Sequence, residues 1–356
     1  MPGYKAGGPI TSIYQMVQHL HTSIDFSMVT RNTDWHDPQP YHIEADEWVS
    51  KAGYRVKYLA NAAFSSVWNE VKDADCEILY FNGIYSPTFN ALPLLRSLIF
   101  SSRRLLIVAP RGMLNANAIA LKSSKKKALL SLYRFLEIEK KVIFHSTSEK
   151  ETQAILSIYP KASIKEAMNV PAHSADRMKP QGRGLIAVGR ISPVKNTLPL
   201  LELMNGNESI PLTLVGTSDD EAYLKQCTDI IERNDHISWR GGKGPEALGA
   251  LYQASRFFIS MTTGENFGHA IIEALSSGLP VIISDRTPWK DLEEAGAGWV
   301  ITLEDEARWK KVIDDAAAMD DEAYSRMSSN ALAYVKRKFD LEQLREQYLE
   351  LFGAKD

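Results

Sequence analysis

Two short stretches hold the residues whose types and spacing could do chemistry. Gly264-Glu265-Asn266-Phe267-Gly268-His269 lies between the apolar run Phe257-Phe258-Ile259-Ser260 and a stretch of helical spacing that Gly278 and Pro280 end. Such a strand-to-helix turn gathers unpaired backbone N–H groups and the positive end of a helix dipole, so it predicts an anion pocket with a carboxylate at its mouth. The second stretch, Val188-Gly189-Arg190-Ile191-Ser192-Pro193-Val194-Lys195, sets a glycine and two cations in a tight loop after a strand, where they could clamp a diphosphate. It is not a P-loop, and Gly241-Gly242-Lys243-Gly244 is not a dinucleotide fingerprint.

Glu273 lies two helical turns inside the stretch that follows Glu265. Along a helix axis the two carboxylates would stand about 12 Å apart, at about 1.5 Å per residue, which suits an elongated ligand. It does not suit glycoside hydrolysis, whose paired carboxylates flank one bond at about 5–9.5 Å.

The elements that must position these residues read as parallel sheets wrapped by helices, an α/β class. Strands are expected at 24–29, 54–59, 77–81, 104–108 and 142–145 in the first half. In the second half they are expected at 184–188, 211–215, 236–239, 256–260, 280–284 and 299–302. Each half reads as a doubly wound unit. The join is expected in 171–182, where Pro171, Ser174, Asp176, Pro180, Gln181 and Gly182 cluster, giving domains 1–172 and 173–338. Residues 339–356 read as a last amphipathic helix after Asp340, expected to return to the first domain. Ligands of such sheets bind at the carboxyl ends of strands, so two facing units predict an interdomain cleft.

Composition narrows the classes. The 356 residues are 44% apolar and carry a formal charge of −3, which gives no global drive toward nucleic acid or an anionic membrane. Cys76 and Cys227 lack CxxC spacing, so neither a disulfide framework nor a cysteine zinc site is expected, and a reducing cytoplasm fits. No run of eighteen apolar residues and no hydrophobic leader is seen in the sequence. Asp73-Ala74-Asp75 spells DxD but precedes a strand, and is expected to be a surface turn.

Together, Gly189-Arg190 with Lys195, then Glu265-Asn266-Phe267-Gly268 and Glu273, resemble the GT-B glycosyltransferases of family 4, whose paired-glutamate motif is a Glu, seven residues, then a Glu. Ala109-Pro110-Arg111-Gly112-Met113-Leu114, His145-Ser146-Thr147-Ser148-Glu149, Thr287-Pro288-Trp289 and Gly7-Gly8-Pro9 extend the resemblance over almost the whole chain. It implies a GT-B fold, two Rossmann-like domains facing across a cleft, and a retaining transfer of a hexosyl unit from a UDP- or GDP-linked sugar to a hydroxyl acceptor. It implies no metal. Arg190 and Lys195 would hold the diphosphate with the amides of Phe267 and Gly268. Glu265 would face the hydroxyls of the transferred sugar, and Glu273 the ribose. Gly216, Thr217 and Arg240 are candidates for the base pocket, and Gly7 and Gly8 would approach the phosphates from the opposite wall.

On the acceptor side the resemblance points to Asn82, where many relatives carry a histidine, and to Arg111 and His145. His145 and Ser148 read more readily as a strand end leading into an N-cap than as substrate contacts. His269 and Trp289 read as packing residues, with Thr287 and Pro288 expected to start a helix. The family's chain begins with an apolar strand before its glycine loop, so the expectation here is either a truncated start or a first sheet that lacks a central strand.

The segment 122–141 interleaves Lys122, Lys125, Lys126, Lys127, Arg134, Lys140 and Lys141 with Leu129, Leu130, Leu132, Tyr133 and Phe135. It reads as a domain helix that could also meet an anionic bilayer, suiting a lipid-linked glycan acceptor at the inner face of the plasma membrane in surface polysaccharide or lipopolysaccharide synthesis. Two rival functions fit the same fold: a nucleotide-sugar epimerase, and a non-catalytic nucleotide-sugar-binding protein.

Overall fold

The computed structural model describes residues 3, 7–100, 104–115, 119, 123–171 and 182–354. Nearly all of the expected join at 171–182, and Lys122, lie outside them. The chain forms two units: residues 12–170 with 341–356, and residues 3–11 with 171–340.

The second unit is built on one six-stranded parallel sheet. Its strands are β8 (Leu185–Val188), β9 (Leu212–Val215), β10 (Ile237–Trp239), β11 (Phe257–Ser260), β12 (Val281–Ser284) and β13 (Gly298–Ile301). The order is β10-β9-β8-β11-β12-β13. The chain therefore runs outward from β8 on one side and from β11 on the other, which is a doubly wound sheet with its switch point between β8 and β11. Both faces are covered, and continuous apolar runs such as Val281-Ile282-Ile283 are fully buried. The core gathers Leu185, Leu212, Phe257, Ile282 and Trp309. Helices begin where acidic caps can satisfy their first amides: Asp220 accepts from Tyr223 N at 2.9 Å, Asp305 from Arg308 N at 3.1 Å and Asp320 from Ala323 N at 2.7 Å.

The first unit holds two sheets. One joins β1 (Phe26–Arg31), β2 (Trp48–Lys51) and β3 (Tyr54–Leu59) in the order β1-β3-β2. The other is the parallel sheet β4 (Ile78–Asn82), β5 (Leu105–Ala109), β6 (Ile143–Ser146) and β7 (Ser163–Glu166), in that order. The single doubly wound sheet read from the sequence is thus divided, with β1 and β4 at sheet edges. Their side chains Phe26, Met28, Ile78 and Tyr80 pack in one cluster with Met16, Val17 and Leu20 of the helix Gly8–Leu20. The helix Leu341–Phe352 adds Tyr348, Leu351 and Phe352 to that cluster. The helix is fastened by Leu341 O against His19 Nε2 at 2.9 Å and by Lys165 Nζ donating to Glu350 O at 2.5 Å.

Three readings from the sequence need correction. β2 and β7 were not expected, because Trp-Val-Ser-Lys and Ser-Ile-Lys-Glu are short, half polar and lie at sheet edges, where one face stays wet. No helix starts at Thr287: its hydroxyl accepts from Trp289 N at 3.3 Å in a local turn, and Trp289 is buried instead. The helix after Glu265 runs only from His269 to Ser276, with Gly268 left-handed at its start. Glu265 lies outside it, so the helical rise does not measure its distance from Glu273.

Candidate functional site

A small pocket lies at the switch point of the second unit. Gly189, Arg190, Lys195, Ser260 and Met261 line it, at the carboxyl ends of β8 and β11. Two loops meet there. Val194 O accepts from Thr263 N at 2.9 Å and from the Thr262 and Thr263 hydroxyls at 3.1 Å each. These bonds stitch the cationic loop to the turn that carries Glu265. Ser192 caps the short 3-10 turn Pro193–Lys195, and left-handed Asn196 then redirects the chain into the helix Thr197–Met204.

Lys195 Nζ is paired with the Glu265 carboxylate, and both side chains are partly buried. Arg190 Nη1 reaches Asp219 Oδ2 at 3.1 Å in a more exposed pair. An exposed pair is worth about 0–1 kcal/mol, so a dianionic ligand can displace Asp219 at small cost. Asp219 was not singled out from the sequence; it follows β9 by four residues and carries no local signal of its own.

The glycines here are steric necessities. A Cβ on Gly216 would stand 1.8 Å from Gly189 O, and one on Gly189 would stand 3.1 Å from Lys195 Cε. Backbone therefore packs on backbone where the β8 and β9 loops leave the sheet, and Gly216 O also accepts from Trp239 Nε1 at 2.9 Å. Arg240 follows β10, is exposed, and its amide donates to Leu214 O at 2.9 Å.

The turn is anchored from below. Phe267 is 6% exposed, its ring packs against Trp289 and Phe339, and its carbonyl accepts from Trp289 Nε1 at 2.7 Å. The Phe267 side chain is thus a packing group, and only its backbone faces the turn's chemistry. Asn266 is half-buried beside it. The His269 ring lies tilted at 53° to that of Phe267, with centroids 4.7 Å apart, and a Cβ on Gly8 would stand 3.1 Å from the His269 ring. Gly8 thus lies against the first turn of the helix His269–Ser276, and Gly7 precedes it in the left-handed region with φ 66°.

Glu273 is not brought to the Lys195–Glu265 pair by any contact among the described residues. It lies half-buried, with its Oε2 3.4 Å from the Tyr252 hydroxyl. Burial raises its pKa, and the Tyr252 hydrogen bond lowers it.

In the first unit a separate polar cluster sits at the carboxyl ends of β4, β5 and β6. Arg111 lies left-handed at φ 54°, and its guanidinium donates from Nε to Asn82 Oδ1 at 2.9 Å. Nη1 donates to Asn169 Oδ1 at 2.7 Å, and Nη2 to the Tyr80 hydroxyl at 2.8 Å. His145 does not face a ligand as the resemblance suggested: it is fully buried. Its Nε2 lies 2.9 Å from Ala167 O and its Nδ1 2.6 Å from the Tyr80 hydroxyl. A carbonyl can only accept, so Nε2 carries the proton and Nδ1 accepts from Tyr80.

Ser148 is the N-cap of the helix Glu149–Ile158. Glu151, three residues on, completes a variant capping box: its Oε2 accepts from Thr147 N at 2.9 Å and its Oε1 from Gly112 N at 2.5 Å. The Ser-x-x-Glu spacing was legible in the sequence; the reach to Gly112 was not.

Burial, then the Arg111 charge, lower the pKa of His145 to about 3 from 6.5. The unfolded chain therefore binds the proton near pH 6.5 while the folded protein refuses it until about 3, so this contribution to stability is complete above about 6.5 and is lost as pH falls toward 3. Urea unfolding between pH 7 and 4 should show His145 adding a slope of about 1.4 kcal/mol per pH unit below 6.5, which His145→Asn reduces. An imidazole signal of His145 titrating near 6.5 in the folded protein would contradict this.

Residues 172–333 match the family model described as glycosyl transferases group 1. A GDP-mannose:cellobiosyl-diphosphopolyprenol alpha-mannosyltransferase of Xanthomonas campestris is 27% identical over 203 residues, 54% of this chain and 52% of that protein. An alpha-monoglucosyldiacylglycerol synthase of Streptococcus pneumoniae is 27% identical over 177 residues, 48% of this chain and 38% of that protein. The chain thus spans about half the length, or less, of these curated relatives. Among solved structures, sucrose-phosphate synthase of Thermosynechococcus elongatus superposes with a TM-score of 0.71 at 18% identity, covering 98% of this chain and 94% of that one. WaaG, a glycosyltransferase involved in lipopolysaccharide biosynthesis, superposes with a TM-score of 0.63 at 14% identity, covering 98% and 97%. The fold is therefore that of the GT-B glycosyltransferases, and residues 172–333, somewhat under half of the chain, are similar to the glycosyl transferases group 1.

Proposed function

We propose that the protein is a retaining glycosyltransferase that moves a hexosyl unit from a UDP- or GDP-linked sugar to a hydroxyl. The observation that carries this is the Lys195–Glu265 pair at the switch-point pocket, because it puts a cation suited to a diphosphate beside a carboxylate suited to sugar hydroxyls. Arg190 and Lys195 hold the leaving diphosphate, with the amides of the Phe267-Gly268 turn. Glu265 orients the transferred sugar, and Glu273 the ribose. The acceptor oxygen bonds to the anomeric carbon on the face from which the phosphate oxygen departs, and the acceptor proton passes to that oxygen. Rate comes from positioning and charge stabilisation by side chains rather than by a divalent ion.

The test is a panel of UDP- and GDP-sugars, with and without EDTA, read by nucleoside diphosphate release and by the anomeric configuration of the product. Release that survives EDTA, with retained configuration, is expected. Inverted product overturns the mechanism, sugar interconversion without release favours the epimerase, and tight nucleotide-sugar binding without turnover favours the non-catalytic binder.

The acceptor reading follows the relatives whose printed names carry a diphosphopolyprenol or a diacylglycerol. We propose a lipid-linked acceptor reached from the inner face of the plasma membrane. In support, the helix Ser123–Phe135 leaves Leu132 41% and Phe135 82% exposed among Lys125, Lys126, Lys127 and Arg134. No helix among the described residues is long and apolar enough to cross a membrane. Phe135→Ser is expected to weaken sedimentation with vesicles containing phosphatidylglycerol, by about 1–2 kcal/mol for one lost aromatic anchor. Unchanged sedimentation would remove this contact.

A further inference from the structure

Among the described residues, Arg111 is in no salt bridge with a carboxylate. Its hydrogen-bond partners are Asn82 Oδ1, Asn169 Oδ1 and the Tyr80 hydroxyl, with the Tyr348 hydroxyl beside it, all neutral. Glu151, the nearby buried acid, is engaged by Gly112 N and by Thr147 N and Oγ1. The network is also polarised away from the guanidinium. His145 Nε2–H donates to Ala167 O, Tyr80 O–H donates to His145 Nδ1, and only the lone pairs of Tyr80 turn toward Arg111. The charge acts on this whole cluster, holding down the hydroxyl pKa values of Tyr80 and Tyr348 that burial raises.

The side chain is also built into place. Asn169 is 3% exposed and His145 is fully buried, so the groups that fix the fork are rigid. Arg111 adopts φ 54° and Gly112 φ 76° at the end of β5, a left-handed pair whose cost is borne where the chain must aim a side chain. Arg111 itself is half-buried, at the sheet edge where ligands of parallel sheets bind. A guanidinium fork has five N–H donors, more than these partners use, and its geometry matches an oxyanion.

We infer that Arg111, held by Asn82, Asn169 and Tyr80, is the anchor of an oxyanion subsite on the first unit that takes a phosphate carried by the acceptor. This rests on the glycosyltransferase reading for the word acceptor, and on the geometry alone for the anion. Asn82 thereby gains a use: its carbonyl oxygen positions the guanidinium. A histidine at that place could itself become a cation and repel the fork.

The experiment is titration of the full-length chain with n-butyl phosphate and, separately, with uridine diphosphate, observed through the Arg111 Nε–H resonance. Butyl phosphate is expected to shift that resonance saturably in the native protein and equally in Lys195→Ala. Arg111→Gln should abolish the calorimetric binding of butyl phosphate, and Arg111→Lys, which keeps the charge but loses the fork, should weaken it by about tenfold. Should Arg111→Gln fail to fold, the resonance and the lysine variant still decide.

No shift with butyl phosphate overturns the subsite. A shift only with uridine diphosphate, lost in Lys195→Ala, assigns the anion to the donor and overturns it equally. Phosphate binding at Arg111 without sugar transfer in the panel would leave the subsite standing and remove the glycosyltransferase reading. Transfer without phosphate binding would remove the subsite alone.

Discussion

Lys195→Ala is expected to lower kcat/KM for nucleoside diphosphate release by about 100- to 1,000-fold, the usual loss when one preorganised charge-stabilising group is removed. Two effects act together. The cation that meets the leaving diphosphate is gone, and the Glu265 carboxylate, 14% exposed as a side chain and previously paired with Lys195, is left bare beside an incoming dianion. The second effect predicts non-additivity. Lys195→Ala combined with Glu265→Gln should be less impaired than the product of the two single losses, because the neutral amide no longer repels the diphosphate. Steady-state kinetics over the four proteins check this, and fully multiplicative losses would mean that the pair does not act as a unit.

Gly216→Ala should be the most damaging single-methyl change in the second unit's ligand edge. Its Cβ would stand 1.8 Å from Gly189 O and 2.7 Å from Gly189 C, both backbone atoms that no rotamer change can move. Overpacking of this kind costs about 1–3 kcal/mol or more, and here relief requires the β8 and β9 loops to separate. The unit should melt lower by roughly 2–12 °C, at about 2–4 °C per kcal/mol for a domain of this size. Binding of nucleoside diphosphate should also weaken, since Gly189 precedes Arg190 and its amide is tied to Val215 O at 2.9 Å. Gly249→Ala is the control. It lies within the helix Pro245–Gln253 with nothing within 4 Å of a new Cβ, and should leave stability equal or raise it by about 0.5–1 kcal/mol. Equal melting of the two variants would contradict the close backbone approach.

The second unit was nearly transparent in the sequence because its strands are buried on both faces. Runs such as Phe257-Phe258-Ile259 and Val281-Ile282-Ile283 have no other place to go, and the structure sets their boundaries within a residue or two of the expected ones. The edge strands β2 and β7 escaped notice because a wet face dilutes the pattern. Thr287-Pro288-Trp289 misled because a threonine followed by a proline caps a helix or a local turn equally well, and burial of the Trp289 indole against Phe267 decides for the turn.

Of the site, the glycines and cations were legible as types, since only tight loops need both. Their partners were not. Asp219 beside Arg190, and Tyr80 and Asn169 around Arg111, come from segments far off in the chain, and only the tertiary fold brings them together. His145 shows the converse limit: a histidine at a strand end looks reactive, but burial and the Ala167 carbonyl fix it as a neutral relay.

The most direct test of the donor site is the structure of the chain crystallised with a nucleoside diphosphate. The pyrophosphate should lie within hydrogen-bond distance of Arg190 and Lys195 at the β8 and β11 ends, with Asp219 displaced from Arg190. Diphosphate bound elsewhere, with the Arg190–Asp219 and Lys195–Glu265 pairs unaltered, would contradict the account.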